Sequence, residues 1–582
     1  MKRPAVWAPE ASSVELVTEN MRVPMKMETE GWWVAPGISL KDGDEYAFSV
    51  NDGPWVPDPR SLRQPGGVHG LSAFVDHGRF FWTDDAWQPP SLASGLIYEI
   101  HTGTFTPEGT FEGVISHLDH LCSLGVTHLE LMPVNGFSGN RGWGYDGVNL
   151  YAPHEAYGGP QGLKKLVDAA HKKGIAVLLD VVYNHLGPEG NYLGIFGPYF
   201  SKKYASPWGD AINFDGPFSD GVREFFLDNA RMWLADYHMD GLRIDAVHAI
   251  FDQSALHFLE ELAQVVRKVE RETGKSKCVI AESDLNDPRL VRSPEVGGYG
   301  LDAQWSDDFH HALHALVTGE SKGYYGDFGT LARLAKALEK TFVYDGVYSP
   351  FRKRRHGRSA ADVPSRRFLG YIQNHDQVGN RARGERLGHL CGQRLQKVAA
   401  ACVFLSPFVP MLFQGEEWNT STPFLYFTDH SDGELAEAVS DGRRREFSGF
   451  GWKPEDIPDP QDELTFTRSK LDWAELEKPE GKDMLQWYRN LTAFRRSIPA
   501  LLEGRNQMRV TFDEQARWLV LQRRAVLLVC NFGLNPVAVP FPESDGEAVL
   551  RLGSQPGIIA ERGLFRLPPE SAAVFELMPT NL

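Results

Sequence analysis

Cysteine is scarce in this 582-residue chain: Cys122, Cys278, Cys391, Cys402 and Cys530 are odd in number, widely spaced and without a CxxC pair. That excludes a disulfide framework or a cysteine-built zinc site and predicts buried, unpaired thiols in apolar surroundings. Positive charge is short as well. Sixty Lys and Arg stand against 77 Asp and Glu, giving a formal charge of −17 that repels phosphate backbones and anionic lipid surfaces. Neither nucleic acid nor membrane is expected as a partner. No apolar run reaches the ~18 residues of a membrane span, and MKRPAVWAPEASSVELV lacks the uninterrupted apolar stretch of a signal peptide. A soluble, cytoplasmic protein is the expectation. There is no repeat, low-complexity tract or coiled-coil heptad. His310 and His314 have helical i,i+4 spacing, but no HExxH glutamate accompanies them, so they assign no metal. No cofactor is expected.

What is present is a change of grammar along the chain. Residues 1 to about 90 alternate short β-like runs (AVWAP, SVELVT, GWWVAP, EYAFSV) with turn residues, as a small β-sandwich does. From LIYEIHTGTF onward, apolar runs of strand length alternate with amphipathic helical stretches, the signature of βα units and a parallel sheet. Eight strands are predicted, at 96–102, 126–134, 174–182, 241–247, 277–283, 301–306, 367–374 and 408–415. Eight is the number that closes a (β/α)8 TIM barrel. A representative helix, 162–174, sets Leu163, Leu166, Val167 and Ala170 on one stripe and ends at Gly174. The predicted architecture is α/β, with a β-sandwich over 1–90, a barrel over 91–504 and a second β-sandwich over 505–582. Long excursions, about 186–220 and 419–475, interrupt the barrel, and loops of that length are usually functional.

Four segments close strand-like runs with acidic or imidazole side chains: DVVYNH (180–185), GLRIDAVH (241–248), AESDLND (281–287) and QNHDQVGN (373–380). In a strand of period two, Arg243 and Asp245 share a face, so a guanidinium holds that carboxylate ionised. Glu282 ends the next predicted strand. Proximity to Asp245 and partial burial then raise its pKa and keep it protonated as a general acid. This division of labour is that of a retaining glycoside hydrolase, with Asp376 as a third acid that binds sugar hydroxyls more strongly in the transition state. Each fragment also has a structural reading: an ion pair in a strand, a helix cap, an Asx turn. Their joint, ordered occurrence at the ends of successive strands favours the functional one.

The four segments, in this order, resemble the signature regions of the alpha-amylase superfamily over most of the chain. The resemblance implies Asp245 as nucleophile, Glu282 as acid/base and Asp376 as transition-state stabiliser. It implies Asp180, Asn184, His185, Arg243 and His375 as the lining of the subsite for the attacked sugar, with Tyr145 of RGWGYDGV stacking on the same glucose. WAPEASSVELV is similar to the N-terminal module shared by branching enzymes, debranching enzymes and maltooligosyltrehalose trehalohydrolases. YEIHTGTFTPEGTF, GLRIDAVHAI, AESDLND, QNHDQVGNRA and YFTDHSDGELAEAVSDGRRREF together are most similar to the trehalohydrolases. That family hydrolyses the α-1,4 bond beside a terminal trehalose unit, so the implied substrates are maltooligosyltrehalose and related α-glucans, and the implied pathway partner is a maltooligosyltrehalose synthase. His248 would then face the leaving-group side, or else simply open the following helix. The alternatives are a branching or α-1,6 debranching enzyme and a catalytically silent glucan-binding scaffold. The basic run RKRRHGR (352–358) reads as a solvated loop. Trp143, Trp208, Trp305 and Trp418 are candidate stacking faces among tryptophans that mostly serve packing.

Overall fold

A computed structural model of the chain describes residues 3–448, 453–505, 507–540, 546–561 and 563–579, so parts of the 419–475 excursion and of the 505–582 span lie outside the described residues. Eight parallel strands close a barrel in sequence order: β1 (Ile97–Ile100), β2 (His128–Leu131), β3 (Ala176–Val181), β4 (Gly241–Ile244), β5 (Cys278–Ala281), β6 (Ala303–Trp305), β7 (Phe368–Gly370) and β8 (Val409–Phe413). Each falls within its expected run. Both faces of every strand are covered, which is why the runs are nearly continuously apolar.

Alternation divides each strand between the outer helices and the barrel interior. Ile97, Leu178, Ile280, Ala303, Trp305, Leu369, Tyr371, Val409 and Met411 pack together as the interior core. On the same face, one period further along the first four strands, stand Glu99, Glu130, Asp180 and Arg243, all buried. The interior therefore carries an apolar layer to which β1 and β3 also contribute, and one period further along β1–β4 it becomes ionisable.

Helix α1 (Gly159–Lys172) begins three residues earlier than expected, because Pro160 fits a first helical turn, and ends before Gly174, which takes the left-handed φ of 78°. The excursion after β3 carries an antiparallel hairpin, Phe200–Ser206 with Gly209–Ile212. The N-terminal region forms one antiparallel sheet from Ala5–Trp7, Lys26–Met27 and Trp32–Val34, and a second around Val14–Val17 and Glu45–Val50. At the C-terminal end a five-stranded antiparallel sheet faces a three-stranded one across a core that includes Val520, Val529, Val539, Phe565 and Phe575. No helix among the described residues is long and apolar enough to cross a membrane.

The connector from the N-terminal sheets is tied to the barrel's N-terminal rim by a buried charge cluster. His171 is clamped between Asp84 (2.8 Å from Nδ1) and Asp240 (2.9 Å from Nε2), with Trp87 stacked on its ring and donating to Asp240. His238 and Lys275 also approach Asp84, and Lys277 approaches Asp240.

The thiols depart from expectation. Cys402 and Cys530 are buried, with their sulfurs 3.8 Å apart, but Cys122, Cys278 and Cys391 are only partly covered because each sits where a strand or helix meets a rim. All five are free.

Candidate active site

The ends of β3, β4, β5 and β7 carry the four motifs to the barrel's C-terminal rim, where this fold assembles chemistry. Arg243 organises them. Its fully buried Nη1 donates to both oxygens of Asp180 (2.9 and 2.8 Å) and to Oδ1 of Asp245 (2.8 Å), while Nη2 lies 3.7 Å from Oε2 of Glu282. Its guanidinium carbon sits 4.3 Å from the ring centre of Trp305. One guanidinium thus touches three carboxylates drawn from three different strands.

Asp245 also accepts from Asn184 Nδ2 at 3.0 Å. Burial works to raise the Asp245 pKa, but Arg243, His185 and the Asn184 hydrogen bond prevail and hold it below the ordinary value. Glu282 moves the other way. Burial, then the neighbouring Asp245, Asp307 and Asp376 carboxylates, push it well above the ordinary carboxylate range despite Arg243. The two acids that the motifs bring together are therefore split into an ionised and a protonated member.

The backbone contributes to this arrangement. Ala246 takes a left-handed conformation (φ 37°), which a side-chain-bearing residue adopts only under constraint, and its N–H donates to Glu282 Oε2 at 2.6 Å. The next amide, of Val247, donates to the Glu282 carbonyl at 3.0 Å. Glu282 is thereby held against the turn that carries Asp245.

Tyr145 donates its hydroxyl to Asp180 (2.5 Å) and lies 2.8 Å from His375 Nε2, with its ring stacked on the imidazole. Burial raises Asp180 to about 6 even beside Arg243. His185 hydrogen-bonds Asn184 Oδ1 through Nδ1 and the Tyr145 carbonyl through Nε2, and burial lowers its pKa. Asp376 is less enclosed, its side chain 42 % exposed, with Asn380 Nδ2 at 3.1 Å and His375 Nε2 at 3.5 Å. His248 lies in the single 3-10 turn Val247–Ala249, with Nδ1 buried and unpartnered; it makes no hydrogen bond to the three acids.

Several participants carry no motif signal. Glu99 and Glu130 sit beneath the site on β1 and β2, and Asp307 follows β6, raised to about 6 by burial. An acid interrupting an apolar strand run, as in IYEI or HLEL, was the available clue. The basic run 352–358 is not simply solvated: it includes one strand of a hairpin (Tyr348–Ser349 with Arg354–Arg355), Arg352 pairs with Asp284 at 3.0 Å, and His356 Nε2 bonds the Asp284 carbonyl. Of the four tryptophans singled out, Trp143, Trp305 and Trp418 are buried, whereas Trp208 is 48 % exposed and stacks on His185 at 4.4 Å. His310 and His314 bond Tyr325 and Glu320 respectively. No cluster of potential metal ligands occurs among the described residues.

Residues 71–197 match the alpha amylase catalytic domain family, and 504–574 match a domain of unknown function (DUF3459). The chain is 50 % identical over 551 residues to a malto-oligosyltrehalose trehalohydrolase of Arthrobacter ramosus, covering 94 % of this chain and 95 % of that protein. It is 47 % identical over 579 residues to the protein of the same name from Rhizobium sp. (strain M-11), covering 98 % and 96 %. A Salmonella typhimurium crystal structure described as an alpha amylase superimposes with a TM-score of 0.91 at 39 % identity, covering 99 % of this chain and 97 % of that one. With identities of this size sustained over almost the whole length, the chain belongs to the malto-oligosyltrehalose trehalohydrolase family.

Proposed function

We propose that the protein is a retaining glycoside hydrolase that cleaves the α-1,4 bond adjoining the terminal trehalose of maltooligosyltrehalose, releasing α,α-trehalose and a shorter maltooligosaccharide. The observation that carries the chemistry is the pair of acids on one guanidinium, Asp245 held ionised and Glu282 held protonated. The full-length similarity to trehalohydrolases supports the substrate.

In this mechanism Asp245 attacks the anomeric carbon while Glu282 protonates the departing glycosidic oxygen; the covalent glycosyl enzyme is then opened by water that Glu282, now ionised, deprotonates. Loss of the Asp245 charge on bond formation removes one of the forces raising the Glu282 pKa. Asp376 hydrogen-bonds hydroxyls of the flattening ring. Tyr145, Asp180, Asn184, His185, Arg243 and His375 position the attacked glucose. His248, on the turn that follows Asp245, faces the leaving group. The substrate comes from an enzyme that converts a reducing-end maltose unit into trehalose, a maltooligosyltrehalose synthase. Five free thiols fit a reducing, cytoplasmic compartment.

Product analysis tests the assignment. Maltooligosyltrehalose should yield free trehalose, and the new reducing end should appear first as the α anomer by NMR. Branch formation or debranching without trehalose release rejects the substrate; a β product rejects retention.

A further inference from the structure

The imidazole of His375 is enclosed by groups from several parts of the fold, and the donor and acceptor roles of its hydrogen-bonding neighbours fix its own. Glu99, on β1, accepts from the His375 backbone N–H through Oε2 (3.0 Å) and meets ring Nδ1 with Oε1 at 2.5 Å. Both side chains are 1 % exposed. On the other side of the ring, Nε2 meets the Tyr145 hydroxyl at 2.8 Å and Asp376 Oδ1 at 3.5 Å. Tyr145 has one hydrogen to give, and the shorter contact, 2.5 Å, directs it to Asp180. Asp180 accepts from Arg243 on both oxygens. The Tyr145 oxygen is therefore left as an acceptor for Nε2–H, and Nδ1 faces a carboxylate oxygen, so both ring nitrogens donate.

We propose that Glu99 is a positioning residue for the hydrolytic reaction: by taking both the backbone and the Nδ1 hydrogens of His375, it holds that side chain as a two-fold donor and so locks the Tyr145–Asp180 hydrogen bond in one direction. A neutral His375 with its proton on Nδ1 would accept from Tyr145 instead and turn the phenol hydrogen away from Asp180. The other groups facing the ring are consistent with the charged form. Glu130, in register beside Glu99 on β2, has both oxygens buried without a partner. Burial first, and the Glu99 and Asp180 carboxylates next, push it well above the ordinary range, so it does not compete with Glu99 for a cation. His101 is kept neutral by burial, at about 4. Arg243 opposes a second cation, and Trp143 and Trp305 meet the ring at 5.9 and 6.0 Å. Burial lowers the His375 pKa, but Glu99 and then Asp376 overcome it, to about 9.

The inference rests on the functional reading above, and its test separates the two. His375 is titrated in the free enzyme by NMR with histidine-selective 15N labelling, its resonance assigned by loss in His375→Gln, and kcat/KM for trehalose release is followed against pH. Wild-type His375 should be doubly protonated at pH 7. In Glu99→Gln it should titrate between about pH 5 and 8, the ordinary range for an unassisted imidazole, and kcat/KM at pH 8 should fall about tenfold or more while recovering toward acid pH. Glu99→Asp, which keeps the charge, should retain the wild-type profile shape at reduced rate. A wild-type His375 found neutral at pH 7, or a Glu99→Gln profile parallel to the wild type, overturns the proposal. If the glutamine variant does not fold, the wild-type titration decides by itself. Should no trehalose be released, the functional reading fails while the NMR titration still reports on Glu99.

Discussion

Replacing Glu282 by glutamine tests the pairing of acids most directly. The side chain takes one hydrogen bond, from Ala246 N at 2.6 Å, and otherwise faces Arg243 Nη2 at 3.7 Å. Glutamine has nearly the same shape, and its amide oxygen can keep the Ala246 bond. Because burial raises the Glu282 pKa well above the ordinary carboxylate range, the substitution gives up little charge, so the melting temperature should move by only about 2 °C or less. Catalysis should behave differently. General acid–base assistance is worth roughly 10²–10⁴-fold, and the proposed mechanism draws it from Glu282 in both half-reactions, so turnover on maltooligosyltrehalose should drop by about 10³–10⁴-fold. At 1.36 kcal/mol per decade that is about 4–5.5 kcal/mol of activation free energy. A glycosyl fluoride separates the two halves: fluoride leaves without a proton, so the first step should survive and the glycosyl enzyme should accumulate. Azide, which needs no base, should then restore turnover and give an α-glycosyl azide. A variant keeping more than about a tenth of the wild-type rate on the natural substrate, or one not rescued by fluoride with azide, refutes the role given to Glu282.

Three further outcomes are expected. Asp245→Asn should lose at least about 10³-fold in kcat and form no covalent intermediate with the glycosyl fluoride, as checked by intact-protein mass spectrometry; the Arg243–Asp180 contact should preserve folding. The pH profile of kcat/KM should be bell-shaped: Asp245, required ionised and held below its ordinary value, lets activity persist below about pH 4, whereas Glu282, required protonated, sets an alkaline limb well above a usual glutamate. In the His171 clamp, burial lowers the imidazole pKa, but hydrogen bonds to Asp240 and Asp84 raise it overall. Its contribution to stability is therefore complete below the unfolded value of about 6.5 and disappears as pH rises through the folded value. His171→Ala should destabilise by about 3–5 kcal/mol, because two buried carboxylates lose their shared cation, and denaturant unfolding at pH 6 against pH 9 should show a smaller gap at the higher pH.

The β1–β8 strands, the antiparallel character of both ends and the four motif segments were legible because each depends on local pattern. Apolar runs of strand length identify strands covered on both faces, and period two puts Arg243 and Asp245 on one side of β4. The partial exposure of Cys122, Cys278 and Cys391 was not legible, since burial at a rim depends on what lies across from it. Nor was the second role of the basic run: whether Arg352 meets water or Asp284 is decided by how two loops after different strands fold together.

By itself, the order of residues determined which side chains would stand at the ends of successive parallel strands, because alternation and strand length are properties of neighbours in the chain. The split between Asp245 and Glu282 that the spacing anticipated acquires its full set of causes only in three dimensions. Asp245 and Glu282 differ in state because one shares hydrogen bonds with Arg243 and Asn184 while the other is desolvated beside three carboxylates. Glu99, 276 positions from His375, reaches it only because closing the barrel sets β1 close to the loop after β7. Electrostatic energy depends on distance and dielectric, and neither is written along the chain.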